Sequence, residues 1–254
     1  EELQKMREGN WFAVLKGEKL PPGEFGVMHG YMKIPELKKV CHAYGVSINE
    51  YLVAVYVWSV YTECMHGMPS ERPVRVAVPV NLRPYFNSIT TKNFFVMVSA
   101  EFHPTKEIYT FEEVLKSVSE SLRSQISREN LEKLFSYNVS NEKLLAARIV
   151  PLFLKNLAMR YVYTTSALAN TATVTNIGNI SVSEEYRPYV EMFHAFLAMS
   201  KGQHLKGTIC SYGDTLVFSF SYDLTDASVQ RGFFRKIAAD GIAVEIETNG
   251  VNYE

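Results

Sequence analysis

From Val74 to Val80 the valines Val74, Val76, Val78 and Val80 alternate with Arg75, Ala77 and Pro79. That period of two predicts a strand with one face buried. Residues 94–102 are rich in aromatic and β-branched side chains and predict a second strand. Ala172-Thr-Val-Thr-Asn reads as a third. Residues 207–212 and 215–222 flank Gly213-Asp214, a pair suited to a two-residue hairpin turn because glycine takes a positive φ at the first turn position. Residues 242–246 read as a last strand.

Other segments carry helix signals. Pro35 stands where a helix tolerates a missing N–H, and Gly45 suits the left-handed cap that ends it. Ser47-Ile-Asn-Glu50 is a capping box, in which the serine oxygen takes a backbone N–H and the glutamate reaches back. The run that follows, Tyr51 to Tyr61, is apolar almost all round, which predicts a central, buried helix. A second capping box, Thr110-Phe-Glu-Glu113, opens a helix with Val114, Val118, Leu122 and Ile126 four residues apart. Residues 129–160 read as helical with a break or kink at Pro151, and residues 228–239 as a last helix. Residues 1–25 read as a short helix and a linker, since Pro21-Pro22-Gly23 stops a helix. Helices on a largely antiparallel or mixed sheet define an α+β layout.

Composition narrows the class. With 254 residues, 47% hydrophobic and 21% charged, the chain has enough apolar material for a real core. Lys+Arg 26 against Asp+Glu 27 leaves a net charge of −1, which removes the usual drive toward nucleic acid or an anionic membrane. The longest uncharged run, 161–183, is too rich in Thr, Ser and Asn to span a bilayer. Three scattered cysteines exclude a disulfide scaffold and fit a reducing, cytoplasmic setting. The chain opens Glu-Glu-Leu-Gln-Lys without an initiator Met, which suggests a fragment or a trimmed chain. No phosphate loop, Gly-x-Ser-x-Gly or His-Glu-x-x-His is present, and the six histidines show no metal-ligand spacing. Cys64-Met-His66 is the nearest approach to a metal pair and reads more simply as a helix end. No metal and no permanently bound cofactor is expected.

Four short motifs remain. They are Val78-Pro-Val-Asn-Leu-Arg-Pro84, Lys92-Asn-Phe94, Thr175-Asn-Ile-Gly178 and Ser221-Tyr-Asp-Leu-Thr-Asp-Ala227. Their order and spacing over residues 25–245 resemble the second half of the chloramphenicol-acetyltransferase-like superfamily. That superfamily includes condensation domains, wax-ester synthases and alcohol acetyltransferases, and the details look most like the bacterial alcohol acetyltransferase type. The resemblance implies an α+β sandwich with a mixed β-sheet covered by helices. It divides the chain into residues 1–25, a helix and linker, and 26–254, the C-terminal half of a two-half acyltransferase.

The family signature His-His-x-x-x-Asp-Gly is degenerate here. Ser221 and Tyr222 take the two histidine places, Asp226 the aspartate place and Ala227 the glycine place. Neither a serine nor a phenol, with its ordinary pKa near 10, takes up a proton readily at pH 7. No catalytic residue is therefore expected in this chain, and the resemblance places the general-base histidine in an N-terminal half that is missing. Thr175 and Asn176 are the candidate oxyanion donors, set against simple strand-end hydrogen bonding. Asn93 is a candidate channel-lining residue and Arg83 a structural one. Asp226 is read as structural, through a cap on the last helix or a pairing with Arg83, and Asp223 as solvated. Lys201 and Lys206 read as a flexible exposed loop or as contacts to coenzyme A phosphates.

The implied function is that of the C-terminal portion of an acyl-CoA-dependent alcohol O-acetyltransferase, inactive alone, walling one side of a tunnel. Acetyl-CoA or another acyl-CoA would be the co-substrate and a small-molecule alcohol the acceptor. The alternatives are a non-catalytic binding or assembly module of the same fold and a condensation-type domain that uses carrier-protein thioesters. An isolated half is expected to expose an apolar face and to form a homo-oligomer.

Overall fold

A computed structural model describes residues 15–143, 151–167, 170–200 and 202–251. Seven strands form one mixed sheet: β1 (Gly26–Lys33), β2 (Val74–Asn81), β3 (Phe95–Phe102), β4 (Ala172–Asn179), β5 (Leu205–Tyr212), β6 (Thr215–Tyr222) and β7 (Val244–Thr248). Their spatial order is β3-β2-β4-β5-β6-β1-β7. β4 runs parallel to both β2 and β5, and the other neighbours are antiparallel. The helices are α1 (Ile34–Tyr44), α2 (Ile48–Ser59), the single turn α3 (Arg83–Phe86), α4 (Phe111–Gln125), α5 (Arg128–Lys143), α6 (Leu152–Ala167) and α7 (Ser228–Ala239). This is the α+β layout that the pattern predicts.

Both capping boxes form. Ser47 Oγ accepts from Glu50 N–H while Glu50 Oε2 accepts from Ser47 N–H, and Thr110 and Glu113 do the same for α4. Gly45, at φ 68°, ends α1 as its sequence suggests. α2 is central: Tyr51, Leu52, Val53, Ala54, Val55, Tyr56 and Val57 are all fully buried. It packs against α4 and α7 on one face of the sheet and continues into a π-helical turn, Val60–Cys64. Its buried hydroxyls are matched, with Tyr56 donating to the Leu205 carbonyl at 3.3 Å and Tyr51 to Asp240 Oδ2 at 2.7 Å. At about 1.5–3 kcal/mol for each large apolar side chain, this helix is the centre of the core.

One strand has no counterpart in the sequence reading. β1 lies between β6 and β7, yet its two glycines dilute the strand signal. Close approach requires them. A Cβ on Gly26 would lie 2.1 Å from the Tyr222 ring, and one on Gly30 2.1 Å from the Phe234 ring. The hairpin turn at Gly213-Asp214 forms as expected, with Gly213 at φ 60°. The last strand is shifted by two residues, to Val244–Thr248. The helical stretch 129–160 is two helices with Pro151 immediately before α6, and residues 144–150 lie outside the described residues. The helix read near the amino terminus also lies outside them, whereas residues 15–25 run without helix and bridge the loop after β6 at Lys19 and Leu224.

The edge strand β3 is covered by polar side chains of α4. Ser121 Oγ donates to the Ser99 carbonyl at 3.0 Å, and the Gln125 amide both donates to Ser99 O and accepts from Ser99 N–H. These bonds occupy backbone groups that would otherwise template another strand.

Glu50 joins the two capped helices. Its carboxylate accepts from Arg123 Nε at 2.5 Å and Nη2 at 3.2 Å. Burial pushes its pKa up, but hydrogen bonds from Arg123 and Ser47 outweigh that, and the net shift is downward. A depressed carboxylate stabilises the fold above its unfolded pKa, about 4.3, and that stability is lost as pH falls through the folded value. Glu50→Gln is expected to cost about 2 kcal/mol at pH 7 and to flatten the acid side of a melting-temperature profile below about pH 5. An unchanged profile contradicts the assignment.

Candidate functional site

Tyr222 is the last residue of β6, residues 223–227 form a loop, and α7 begins at Ser228. This is the strand–loop–helix placement that the degenerate motif implies. The Tyr222 ring is 1% exposed and lies against Gly26. Ser221 projects to the other face of the sheet, where its Oγ donates to the Leu197 carbonyl at 2.6 Å. Asp226 orders the loop: Oδ1 accepts from Ser228 N–H and Oδ2 from Ser228 Oγ, each at 2.9 Å. The cap therefore acts from one residue outside the N-cap position, which Ala227 occupies.

Asp223 is not simply solvated. It meets His204 Nδ1 at 2.8 Å, with both side chains three-quarters buried or more. His204 is thereby brought beside Tyr222, Asp226, Cys64 and Gln230 around a cavity of about 20 Å³, room for roughly one water. Sequence reasoning missed His204 because it stands just before β5, beside the loop in space but 19 residues upstream of Asp223 in the chain.

The other candidates lie away from this loop. Thr175 pairs with Thr208, whereas Tyr222 pairs with Leu205. The offset is three residues along β5, about 10 Å at 3.3 Å per residue, and two strands sideways. Thr175 and Asn176 point to opposite faces, as neighbours in a strand must. Asn176 Oδ1 accepts from Gly178 N–H at 2.8 Å across a bulge in β4, and its Nδ2 lies 3.4 Å from Asn49 Oδ1 at the start of α2. Asn93 is exposed in the loop before β3. Arg83 does not reach Asp226. Its guanidinium donates to the carbonyls of Thr90 at 2.8 Å and Lys92 at 2.7 Å and to Asn81 Oδ1 at 3.2 Å, tying that loop to the end of β2. The structure thus leaves Thr175 and Asn176 in mid-sheet, Arg83 and Asn93 in the segments after β2 and before β3, and Tyr222, Asp226 and Ala227 together where β6 gives way to α7.

Thr175 begins a polar row that the sequence reading did not assemble. Thr175, Thr208, Ser219, His29 and Glu247 are successive cross-strand partners over five strands, on the face away from the helices. Four different segments of the chain supply it. The available signal was the alternation Phe218-Ser-Phe-Ser-Tyr222, which puts serines on one face and rings on the other. His29 Nδ1 meets Ser219 Oγ at 2.7 Å. The pair has the form of a nucleophile and base, but Ser219 is fully buried.

The cover over this face is a strap, residues 190–200, almost without regular structure. Sheet side chains satisfy its carbonyls: Cys210 binds that of Phe193, Ser221 that of Leu197, and Lys206 that of Ala198 at 2.8 Å. Lys206 is therefore a buried strand residue, not part of an exposed loop, and burial lowers its pKa. Lys201 lies outside the described residues. The His194 ring lies tilted 4.6 Å from that of His29, and Tyr31 bonds both His194 Nε2 and Glu247. Among the described residues no group of three His, Cys, Asp or Glu could hold a metal ion, and no helix is long and apolar enough to cross a membrane.

Neither a family model nor a curated protein sequence matches the chain. Solved structures do. The trichothecene 15-O-acetyltransferase of Fusarium sporotrichioides superposes with a TM-score of 0.60 at 14% identity, over 94% of this chain and 51% of that one. The wax ester synthase/diacylglycerol acyltransferase of Marinobacter aquaeolei VT8 gives 0.53 at 16%, over 94% and 56%. A condensation domain of the enacyloxin polyketide synthase gives 0.50 at 12%, over 93% and 45%. The chain has the chloramphenicol-acetyltransferase-like fold, and it spans about half the length of these three structures.

The geometry of the strap predicts one titration. Burial lowers the His29 pKa below 6.5, the neighbouring His194 lowers it further, and Glu247 partly offsets both. In NMR titrations His29 is expected to titrate below 6.5 and to move up in His194→Gln. Because the folded chain binds fewer protons, the stability due to neutral His29 is full above about pH 6.5 and is lost as pH falls through the folded value. A midpoint at or above 6.5 contradicts this geometry.

Proposed function

We propose that the chain is the C-terminal half of a thioester-dependent acyl-transfer enzyme of the condensation type, walling one side of a site whose general base lies on an upstream half. The observation that carries the reading is the placement of Tyr222. It ends the strand before the loop and helix of the motif, where the resemblance expects a histidine, and it is a buried phenol. The roughly half-length coverage of similar structures supports a second half. So do Leu152, Phe153, Leu157 and Met159 of α6, each at least 64% exposed, an apolar surface of the kind that takes a partner. Separated from that half, the chain would associate with itself.

In this reaction a histidine of the upstream half takes the proton from an alcohol O–H. The oxygen then attacks the thioester carbonyl carbon. The C–S bond breaks, and the thiolate leaves with the proton that the histidine returns. The finer form of the reading is an alcohol O-acetyltransferase with acetyl-CoA as co-substrate. A carrier-protein thioester is the alternative donor, and a non-catalytic module of the same fold the alternative to catalysis. Asn176 is the proposed oxyanion donor from this half, since one amide proton of Nδ2 faces Asn49 across a long 3.4 Å contact and the second has no partner among the described residues. Thr175 faces the strap side and serves only if the substrate lies there.

The test uses the protein with its upstream half, assayed with acetyl-CoA and with a carrier-borne thioester against a panel of alcohols. Asn176→Ala is expected to lower kcat about a hundredfold with little change in KM. Unchanged kcat in both Asn176→Ala and Thr175→Val overturns the oxyanion assignment, and no transfer from either donor overturns the catalytic reading in favour of the module.

A further inference from the structure

α7 and β7 meet badly, and the gap between them has a composition of its own. α7 turns Val229, Phe233, Phe234 and Ile237 into the core. Phe234 lies over Gly30 of β1, so the helix sits above β1 and stops short of the sheet edge. Beyond β1, strand alternation turns Val244, Ile246 and Thr248 of β7 to the helix side, and Glu245 and Glu247 to the strap side. The result is a cleft of about 410 Å³ floored by Met28 and Ile246, walled by Phe234 and Ala238, and rimmed by Arg231 and Arg235. That volume falls in the range of small-molecule sites, roughly 300–1,000 Å³, and is too small for a docked helix.

The rim is the informative part. Arg231 and Arg235 are one helical turn apart, and both are exposed. Among the described residues no acidic side chain lines the cleft and neither guanidinium has a salt bridge. Like charges at this spacing disfavour a helix. The two glutamates of β7 could have relieved them, but strand alternation turns both away. Ile246, at 49% exposure, leaves apolar surface open in the same cleft.

We propose that this cleft binds a single-chain alkyl carboxylate, with the chain along Met28, Phe234 and Ile246 and the carboxylate held by Arg231 and Arg235. Two planar guanidinium forks present paired N–H donors to a carboxylate, and the apolar trough takes the chain. The inference concerns binding only and stands apart from the acyl-transfer reading.

The experiment is calorimetric titration of the 254-residue chain with decanoate below its micelle concentration, with decan-1-ol as the uncharged control. Saturable one-to-one binding of decanoate, clearly tighter than that of the alcohol, is expected. The Arg231→Gln/Arg235→Gln double variant should weaken decanoate about tenfold or more, since two charge-assisted bonds are lost, and bring it close to decan-1-ol. Ala238→Phe, at an exposed position of α7, should fill the trough and abolish both. Thermal melts establish that each variant is folded. The proposal is overturned if decanoate shows no saturable binding, if it binds no better than the alcohol, or if the arginine variant binds it as tightly as the parent chain.

Discussion

Seven consecutive residues of α2, Tyr51 to Val57, are without solvent exposure, and a helix apolar on every side must be covered on every side. The sheet supplies one cover, and α4 and α7 supply the flanks. Much of the remaining arrangement follows from that demand. The glutamate of the Ser47 capping box is the one that Arg123 of α4 holds, so the start of the helix and its flanking helix are fixed by one carboxylate. Tyr51 reaches Asp240 at the end of α7, which ties the third helix to the same axis.

The sheet meets the demand by allowing close approach. Tyr222 and Phe234 lie where any side chain on Gly26 or Gly30 would be. Phe218, Phe220, Phe233 and Phe234 then form one cluster of tilted and edge-on rings under α7. With aromatic bulk concentrated on the helix side, the strap side is left to small and polar residues. Their hydroxyl, thiol and ammonium groups do for the strap what a neighbouring strand does elsewhere: they satisfy its backbone carbonyls. Tyr222 belongs to the aromatic side, and its burial is a packing requirement.

Local signals were legible where local physics decides. The two capping boxes, the Gly45 cap, the Gly213 turn and the valine alternation each depend on a few adjacent residues, and each appears where the sequence puts it. β1 was not legible, because its glycines answer to Tyr222 and Phe234, about 200 residues away in the chain. The pairing of Asp223 with His204, the burial of Lys206, and the row from Thr175 to Glu247 were hidden for the same reason. Each joins segments that only the sheet order brings together, and no spacing in the sequence encodes that order. The motif of residues 221–227 was legible as a place in the fold. Its residues do not meet Thr175, which stands three residues along β5 and two strands across from Tyr222.

On the proposed reading, Tyr222 stands at the place of a base that it cannot replace. The most direct measurement is single-turnover acyl transfer by residues 1–254 alone, and again with the upstream half supplied as a separate polypeptide. The account predicts no transfer above the uncatalysed rate from the chain alone, and transfer on addition of the second polypeptide that disappears when its signature histidine is replaced. Efficient transfer by the chain alone would contradict it.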